Sequence, residues 1–230
     1  MDIDSDQWRQ TVIEGALALG MIVTDRQARL MGRHAVELLH WNRTTNLTAI
    51  ADPQAVALNH VVDCAAAAPW VGDARRVLDA GSGGGFPGMV LKILRPDLSF
   101  TLVDSVRKKV SFLKYVIRTL GLTGIDAVHG RLEDLGRQPA YRERFDLVVC
   151  RAFSSLEHFA IVCRPFLSPG GSLLAMKGRA NDGGGYLATR TGGRHMVLGG
   201  TAFAVQTDCY GLPVVDARRT LVRLTPRSAG

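Results

Sequence analysis

The run Val77-Leu78-Asp79-Ala80-Gly81-Ser82-Gly83-Gly84-Gly85-Phe86-Pro87-Gly88 sets five glycines in eight residues directly after a short apolar stretch. A strand-to-helix turn of this composition lets the backbone bend tightly and lets a ligand approach without interference from Cβ atoms. Asp79 stands just before the turn, and Asp104 closes the next apolar run, Leu102-Val103-Asp104-Ser105. An acid at the second position accepts hydrogen bonds from both hydroxyls of a ribose, or caps the helix that follows, or does both. Gly83 through Gly88 also fits the dinucleotide pattern G-x-G-x-x-G. A pyrophosphate seated there would be repelled by Asp79, whereas a ligand with an ammonium group would be attracted to it. S-adenosylmethionine carries that group and no phosphate, so the acid favours it. The chain has no Tyr-x-x-x-Lys, and no histidine stands beside a partner acid at a suitable strand end. Hydride-transfer chemistry therefore lacks its parts.

The methyl acceptor is less constrained. After the fourth apolar run stands Cys150-Arg151-Ala152-Phe153, where amine-directed enzymes often place an Asn/Asp-Pro-Pro-aromatic turn. Carbon methylation of a pyrimidine uses a cysteine nucleophile, commonly preceded by proline. Cys163-Arg164-Pro165 has the reverse order, and Cys150 has no proline beside it. A ring nitrogen with a free lone pair, such as guanine N7, loses no proton on methylation. It needs only alignment and a suitable electrostatic field, which glycines, one arginine and an aromatic ring can supply. The residues allow N7 without selecting it.

The elements that must hold these residues are legible as periodicities. Trp8, Val12, Ala16 and Leu19 predict a helix stopped by Gly20. Thr24-Asp25-Arg26-Gln27 is a capping box opening a second, and Asp52-Pro53 opens a third that runs to about Ala67. From Arg76, apolar runs at 77–80, 100–103, 127–129, 145–150 and 172–176 alternate with helical stretches, which predicts a parallel sheet covered by helices. Val197–Val205 and Thr220–Leu224 read as two further strands. The fold class is α/β, Rossmann-like, with a mostly parallel seven-stranded sheet. A helical cap over residues 1–70 is expected to precede the sheet unit at 71–230. Gly183–Gly185 and Gly192-Gly193 predict that the crossover helix expected there is short or mobile.

Composition narrows the class. The chain has 230 residues, of which 47% are hydrophobic and 21% charged, enough to build a core and too few charges for global disorder. Lys plus Arg number 28 and Asp plus Glu 21. Residues 1–103 carry 9 basic and 11 acidic side chains, a balance of −2, and residues 104–230 carry 19 and 10, a balance of +9. A basic half of this kind permits a polyanionic partner. The acidic start Met-Asp-Ile-Asp-Ser-Asp predicts no secretory leader, and no uninterrupted apolar stretch approaches 18 residues. Cys64, Cys150, Cys163 and Cys209 are scattered, so neither a disulfide framework nor a metal site is expected. The expectation is a cytoplasmic protein.

Taken together, the motifs resemble the bacterial small-subunit ribosomal RNA guanine-N7 methyltransferases, the glucose-inhibited division protein B family. The resemblance rests on Trp41-Asn42, Asn46-Leu47-Thr48-Ala49-Ile50, His60-Val61-Val62-Asp63 and Asp79 through Gly88 with its Gly-Phe-Pro-Gly ending. It continues with Asp104-Ser105, Arg107-Lys108-Lys109, Gly130-Arg131-Leu132-Glu133-Asp134, Arg151-Ala152-Phe153, Met176-Lys177-Gly178, Leu212-Pro213 and Arg219. It spans about residues 35 to 225. The chain departs from the family at Cys150, usually Ser, at His40, usually acidic, and in the glycine-rich 183–193 stretch.

The resemblance implies a class I methyltransferase, expected to be a monomer, that uses S-adenosylmethionine. It would modify guanine 527, in the decoding-region loop of 16S ribosomal RNA, as free RNA or within a small-subunit assembly intermediate. Asp79, Gly81, Gly83, Gly85, Phe86 and Asp104 would form the cofactor site, with Leu132 and Glu133 bracketing the adenine. Arg151 would face the site from the fourth strand, binding the cofactor and acting in an orienting or electrostatic role, and Phe86 can offer a ring face to the sulfonium. Arg107, Lys108, Lys109 and Lys177 are the expected RNA contacts.

Several readings stay open. Trp41 and Leu47 read as packing residues, and Asn46 organises either the cofactor loop or only the backbone. His60 and Asp63 form a helix-face pair, either superficial or functional. Arg218, Arg219, Arg223 and Arg227 extend the basic surface or mark a charged edge strand. A small-molecule or protein acceptor, and a non-catalytic RNA-binding protein, are the rival functions.

Overall fold

The computed structural model describes residues 1–178, 194–215 and 217–227. Helix α1 (Asp6–Ala18) starts at Ser5, whose side chain accepts from the Trp8 N–H. Helix α2 (Asp25–Thr45) starts at the predicted capping box, in which Thr24 and Gln27 exchange hydrogen bonds, and ends at Asn46 with φ 49°. The third helical segment opens as α3 (Pro53–Val56) behind the Asp52 cap. It widens into a π-helical turn over Ala57–Val62 and closes as α4 (Asp63–Ala65).

Strands β1 (Arg76–Ala80), β2 (Ser99–Asp104), β3 (Ile125–His129), β4 (Phe145–Arg151) and β5 (Leu167–Lys177) alternate with α5 (Gly88–Leu94), α6 (Arg107–Thr119), α7 (Leu132–Leu135) and α8 (Leu156–Cys163). Three more strands follow, β6 (Arg194–Leu198), β7 (Thr201–Gly211) and β8 (Arg218–Pro226). They build one sheet in the order β3-β2-β1-β4-β5-β8-β7-β6. The first five strands pair with one another in parallel, and the β5-β8, β8-β7 and β7-β6 pairs are antiparallel.

Among the described residues the sheet has eight strands where the apolar runs predict seven. Val197–Val205 is not one strand: Gly199 and Gly200, at φ 52° and 77°, turn it into a hairpin that pairs Leu198 with Thr201. Two adjacent residues at positive φ make the tight turn whose twist suits a hairpin. The edge-strand reading of the late arginines also fails, because β8 lies between β5 and β7. The glycine-rich crossover at 183–193 lies outside the described residues.

Strand alternation decides which side chains meet. Leu78, Ala80, Val148 and Cys150 point to the face covered by α8, packing with Phe159 and Ala160. Val77, Leu147 and Val149 point to the other face, against Leu91 of α5. Asp79 and Arg151 share the parity of this second group. On that side a core of Trp8, Val12, Met31, Leu38, Met89 and Phe112 joins the N-terminal helices to α5 and α6.

Candidate cofactor and methyl-transfer site

The site grows from the point where strand order reverses. β2 lies on one side of β1 and β4 on the other, and ligands of such sheets bind beyond the carboxyl ends of the strands at that switch. Ala80 pairs with Val103, and Asp79 with Val149. Continued outward, these registers set Gly81, Asp104 and Arg151 level on three neighbouring strands.

Gly81 adopts φ 75°, and a Cβ added there would meet no atom of the described residues within 4 Å. It opens onto a cavity of about 280 Å³ lined by Asp104, Ser105, Arg131, Leu132, Glu133 and Phe153, among others. Asp104 is fixed by its own loop: Oδ2 accepts from Gly83 N–H at 2.9 Å and Oδ1 from Val106 N–H at 2.8 Å. Each carboxylate oxygen keeps a further lone pair for a ribose hydroxyl. So Gly81, Asp104, Leu132 and Glu133 of the expected cofactor set line one cavity, and Gly83 supports it through Asp104.

Asp79, Gly85, Phe86 and Arg151, also expected at the cofactor, do not line it. Asp79 is wholly buried, and its Oδ2 accepts from Gly88 N–H at 2.9 Å. Its Oδ1 is buried and, among the described residues, has no partner. Burial pushes the carboxyl up to about 7, against the opposing pull of the Gly88 N–H and of the nearby Ser82 hydroxyl, which itself donates to Asp79 O at 3.0 Å. Gly85 is a packing glycine, since a Cβ there would come within 2.6 Å of Met89 Cγ. The Phe86 ring is 5% exposed. His60 stacks on it at 4.6 Å, His34 tilts against it at 4.9 Å, and the Arg151 guanidinium lies 5.1 Å from its centroid. The ring face expected to meet a sulfonium is covered by the protein's own groups.

Arg151 is held from the π-helical turn. Nη1 donates to Asn59 O and Nη2 to His60 Nδ1, each at 2.8 Å, and Nη1 stands 3.7 Å from Asp63 Oδ2. Asp63 in turn accepts from Tyr210 Oη at 2.7 Å and lies 3.5 Å from Arg219 Nε. His60 and Asp63 are therefore internal groups at the site, not a superficial pair. Burial pushes the Asp63 carboxyl up, opposed by Tyr210 and the two arginines. The same desolvation, with the Arg151 charge, lowers His60 to about 3.

The expected RNA contacts divide. Arg107 and Lys108 are exposed at the start of α6, and Lys109 is half-buried behind them. Lys177 donates its ammonium to Phe153 O at 2.9 Å, bracing the turn in which Ala152 takes φ 61°. Of the late arginines, Arg219 faces Asp63 and Arg223 packs over Trp70 at 5.5 Å, while Arg218 and Arg227 are exposed.

Asn42, rather than Asn46, organises the backbone beneath the loop: its Oδ1 accepts from Leu47 and Thr48 N–H at 2.7 and 2.9 Å. Asn59, Tyr210 and His34 carry no signal in the sequence. His34 Nε2 reaches Gly84 O at 2.8 Å, a contact between residues fifty positions apart that only folding reveals.

The residues fit S-adenosylmethionine. An open glycine, an acid poised for a ribose, an apolar side chain for adenine and an orphaned buried carboxylate oxygen match its parts. The chain is similar to proteins named Ribosomal RNA small subunit methyltransferase G. One from Geobacter sulfurreducens is 40% identical over 92% of this chain and 94% of its own length. Another, from Burkholderia ambifaria, is 36% identical over 96% and 94%. The crystal structure of a SAM dependent methyltransferase from Aquifex aeolicus shares the fold, with TM-score 0.51 and 13% identity, covering 78% of this chain and 96% of that one. The family model described as rRNA small subunit methyltransferase G matches residues 27–183, and the chain belongs to that family.

Proposed function

We propose that this chain transfers a methyl group from S-adenosylmethionine to N7 of a guanine in 16S ribosomal RNA, the guanine 527 type. Membership of the family makes the chain an S-adenosylmethionine-dependent rRNA methyltransferase. S-adenosylmethionine supplies an electrophilic methyl carbon on a sulfonium. The N7 lone pair forms the new N–C bond as the C–S bond breaks, and sulfur keeps the electron pair. No proton leaves the base, so no general base is required.

The observation that carries the acceptor assignment is the state of Arg151. It is an obligate cation with two donors engaged and three N–H groups left for a purine oxygen or a phosphate. Its titratable neighbours, His60 and Asp63, are both committed to hydrogen bonds inside the protein. Such a site orients an acceptor and does not deprotonate one. Asp104 would hold the ribose, Leu132 and Glu133 the adenine, and Asp79 the ammonium end.

Residues 1–70 serve as a cap that carries Asn59, His60 and Asp63 to the sheet unit at 71–230. Arg107 and Lys108 contact RNA phosphates. The protein acts as a cytoplasmic monomer on free RNA or a subunit assembly intermediate; no described helix is long and apolar enough to cross a membrane. A mass-spectrometric map of modified guanines, with and without the gene, tests this reading. It predicts loss of one N7-methylguanosine from small-subunit RNA, and an unchanged map would refute it.

A further inference from the structure

The π-helical turn over Ala57–Val62 places two acceptors against one arginine. At its end the Asp63 N–H reaches the Leu58 and His60 carbonyls and not that of Asn59. In an unbroken α-helix Asp63 would donate to Asn59 O, four residues back. The wider turn leaves that oxygen for Arg151 Nη1, at 2.8 Å. It also turns the His60 ring so that Nδ1 lies 2.8 Å from Arg151 Nη2.

The second contact fixes a proton. Arginine nitrogens only donate, so His60 Nδ1 accepts and the ring proton sits on Nε2. Nε2 lies 2.7 Å from Thr48 Oγ1, which therefore accepts from it. The Thr48 hydroxyl also accepts from Ile50 N–H at 3.0 Å, and its own hydrogen is directed to Ile50 O at 3.5 Å. A protonated His60 would present two donors and break the Arg151 contact. Desolvation already disfavours that form. The ring is clamped as well, stacked on Phe86 at an interplanar angle of 20°.

We infer that His60, in its neutral Nε2–H form, is a positioning residue for methyl transfer: it holds Arg151 in the orientation that aligns the acceptor, and Thr48 fixes its tautomer. The inference rests on the methyl-transfer reading above and adds a residue to it. Asn offers an amide oxygen near the position of Nδ1, whereas Gln reaches toward that of Nε2. His60→Asn therefore keeps an acceptor for Arg151, and His60→Gln does not.

The test measures kcat and KM on small-subunit RNA, and the Kd for S-adenosylmethionine, in the wild-type full chain, H60N, H60Q and Thr48→Val. H60Q should lose about 10- to 100-fold in kcat, the scale expected of a misplaced orienting group, with cofactor Kd within about twofold. H60N should recover most of that loss although it lacks the same ring stacking. T48V should lower kcat several-fold at unchanged cofactor Kd, and it serves as the test if H60Q does not fold. Equal impairment of H60N and H60Q, or full kcat in T48V, would overturn the inference alone. An inactive wild-type chain would overturn the methyl-transfer reading, and this inference with it.

Discussion

The backbone amide of Gly88 donates to Asp79 Oδ2 at 2.9 Å, so the carboxylate that ends the region of β1 also closes the glycine loop onto the start of α5. One oxygen of Asp79 is structural, and the other is buried with no partner among the described residues. The acid thus holds the loop with one oxygen; the other lies off the cavity wall, and the proposed pairing with the cofactor's ammonium requires the loop to yield around it.

This arrangement has a pH signature. Burial raises the Asp79 carboxyl to about 7 in the free protein. A cofactor ammonium would favour the ionised form, so affinity for S-adenosylmethionine should rise as pH rises through 7, with proton release on binding. Titration calorimetry at pH 5.5 and 8 should show the difference in the wild type and lose it in Asp79→Asn. The same raised value means that the native state binds the extra proton, so this residue lowers stability as pH rises from about 4 to 7. Thermal melts of Asp79→Asn should lack that contribution.

Gly81→Asp should abolish cofactor binding while leaving the fold intact. The new side chain would project into open space at the cavity mouth from φ 75°, at a backbone cost of about 1–2 kcal/mol. Calorimetry with S-adenosylmethionine checks it, and retained affinity would remove Gly81 from the site.

Gly88→Ala should behave differently and destabilise the chain. A Cβ there would overlap Leu102 and come within 2.6 Å of Asp79 Oδ2, a crowding that costs about 1–3 kcal/mol. Urea denaturation should show a lower midpoint at unchanged slope, and an unaltered midpoint would contradict the packing described.

Ala152 turns the chain at φ 61°, where a β-branched residue is far less tolerated. Ala152→Val should lose at least about 1 kcal/mol of stability and most activity, while Ala152→Gly should keep both. Lys177→Met, which frees the Phe153 carbonyl, should lower kcat with little change in melting temperature.

Arg107→Ala with Lys108→Ala should weaken binding to small-subunit RNA and reduce the salt slope by about 1.4–1.8, the removal of two phosphate contacts. A binding series from low to moderate salt measures it. An unchanged slope would move the RNA interface elsewhere. A small-molecule acceptor would show no such dependence at all.

Much of the site was legible because its pieces are contiguous. The glycine loop, Asp104 at the end of the next strand, and Arg151 after the fourth apolar run each follow from a local pattern that specifies a strand end. The parallel order follows from alternating short apolar runs and amphipathic stretches. The helix starts at Thr24 and Asp52 are equally local, since each cap bonds an amide three residues away. The hairpin at Gly199-Gly200 was missed because two apolar runs flank it without an intervening polar break.

The tertiary structure decided which surface each predicted residue would face. Phe86 is aromatic, beside the loop and aimed inward, where His34, His60 and Arg151 cover it. His60 and Asp63 read as a helix-face pair, but the sheet places that face against Arg151, Arg219 and Tyr210. Asp63 and Tyr210 are 147 residues apart, and nothing in either neighbourhood foretells their contact. Alternation fixes the faces within each strand, but only the register that pairs Asp79 with Val149 shows that Asp79 and Arg151 point the same way. What waits for them on that side depends on how the N-terminal helices pack, and that packing is set by apolar burial summed over many weakly specific contacts.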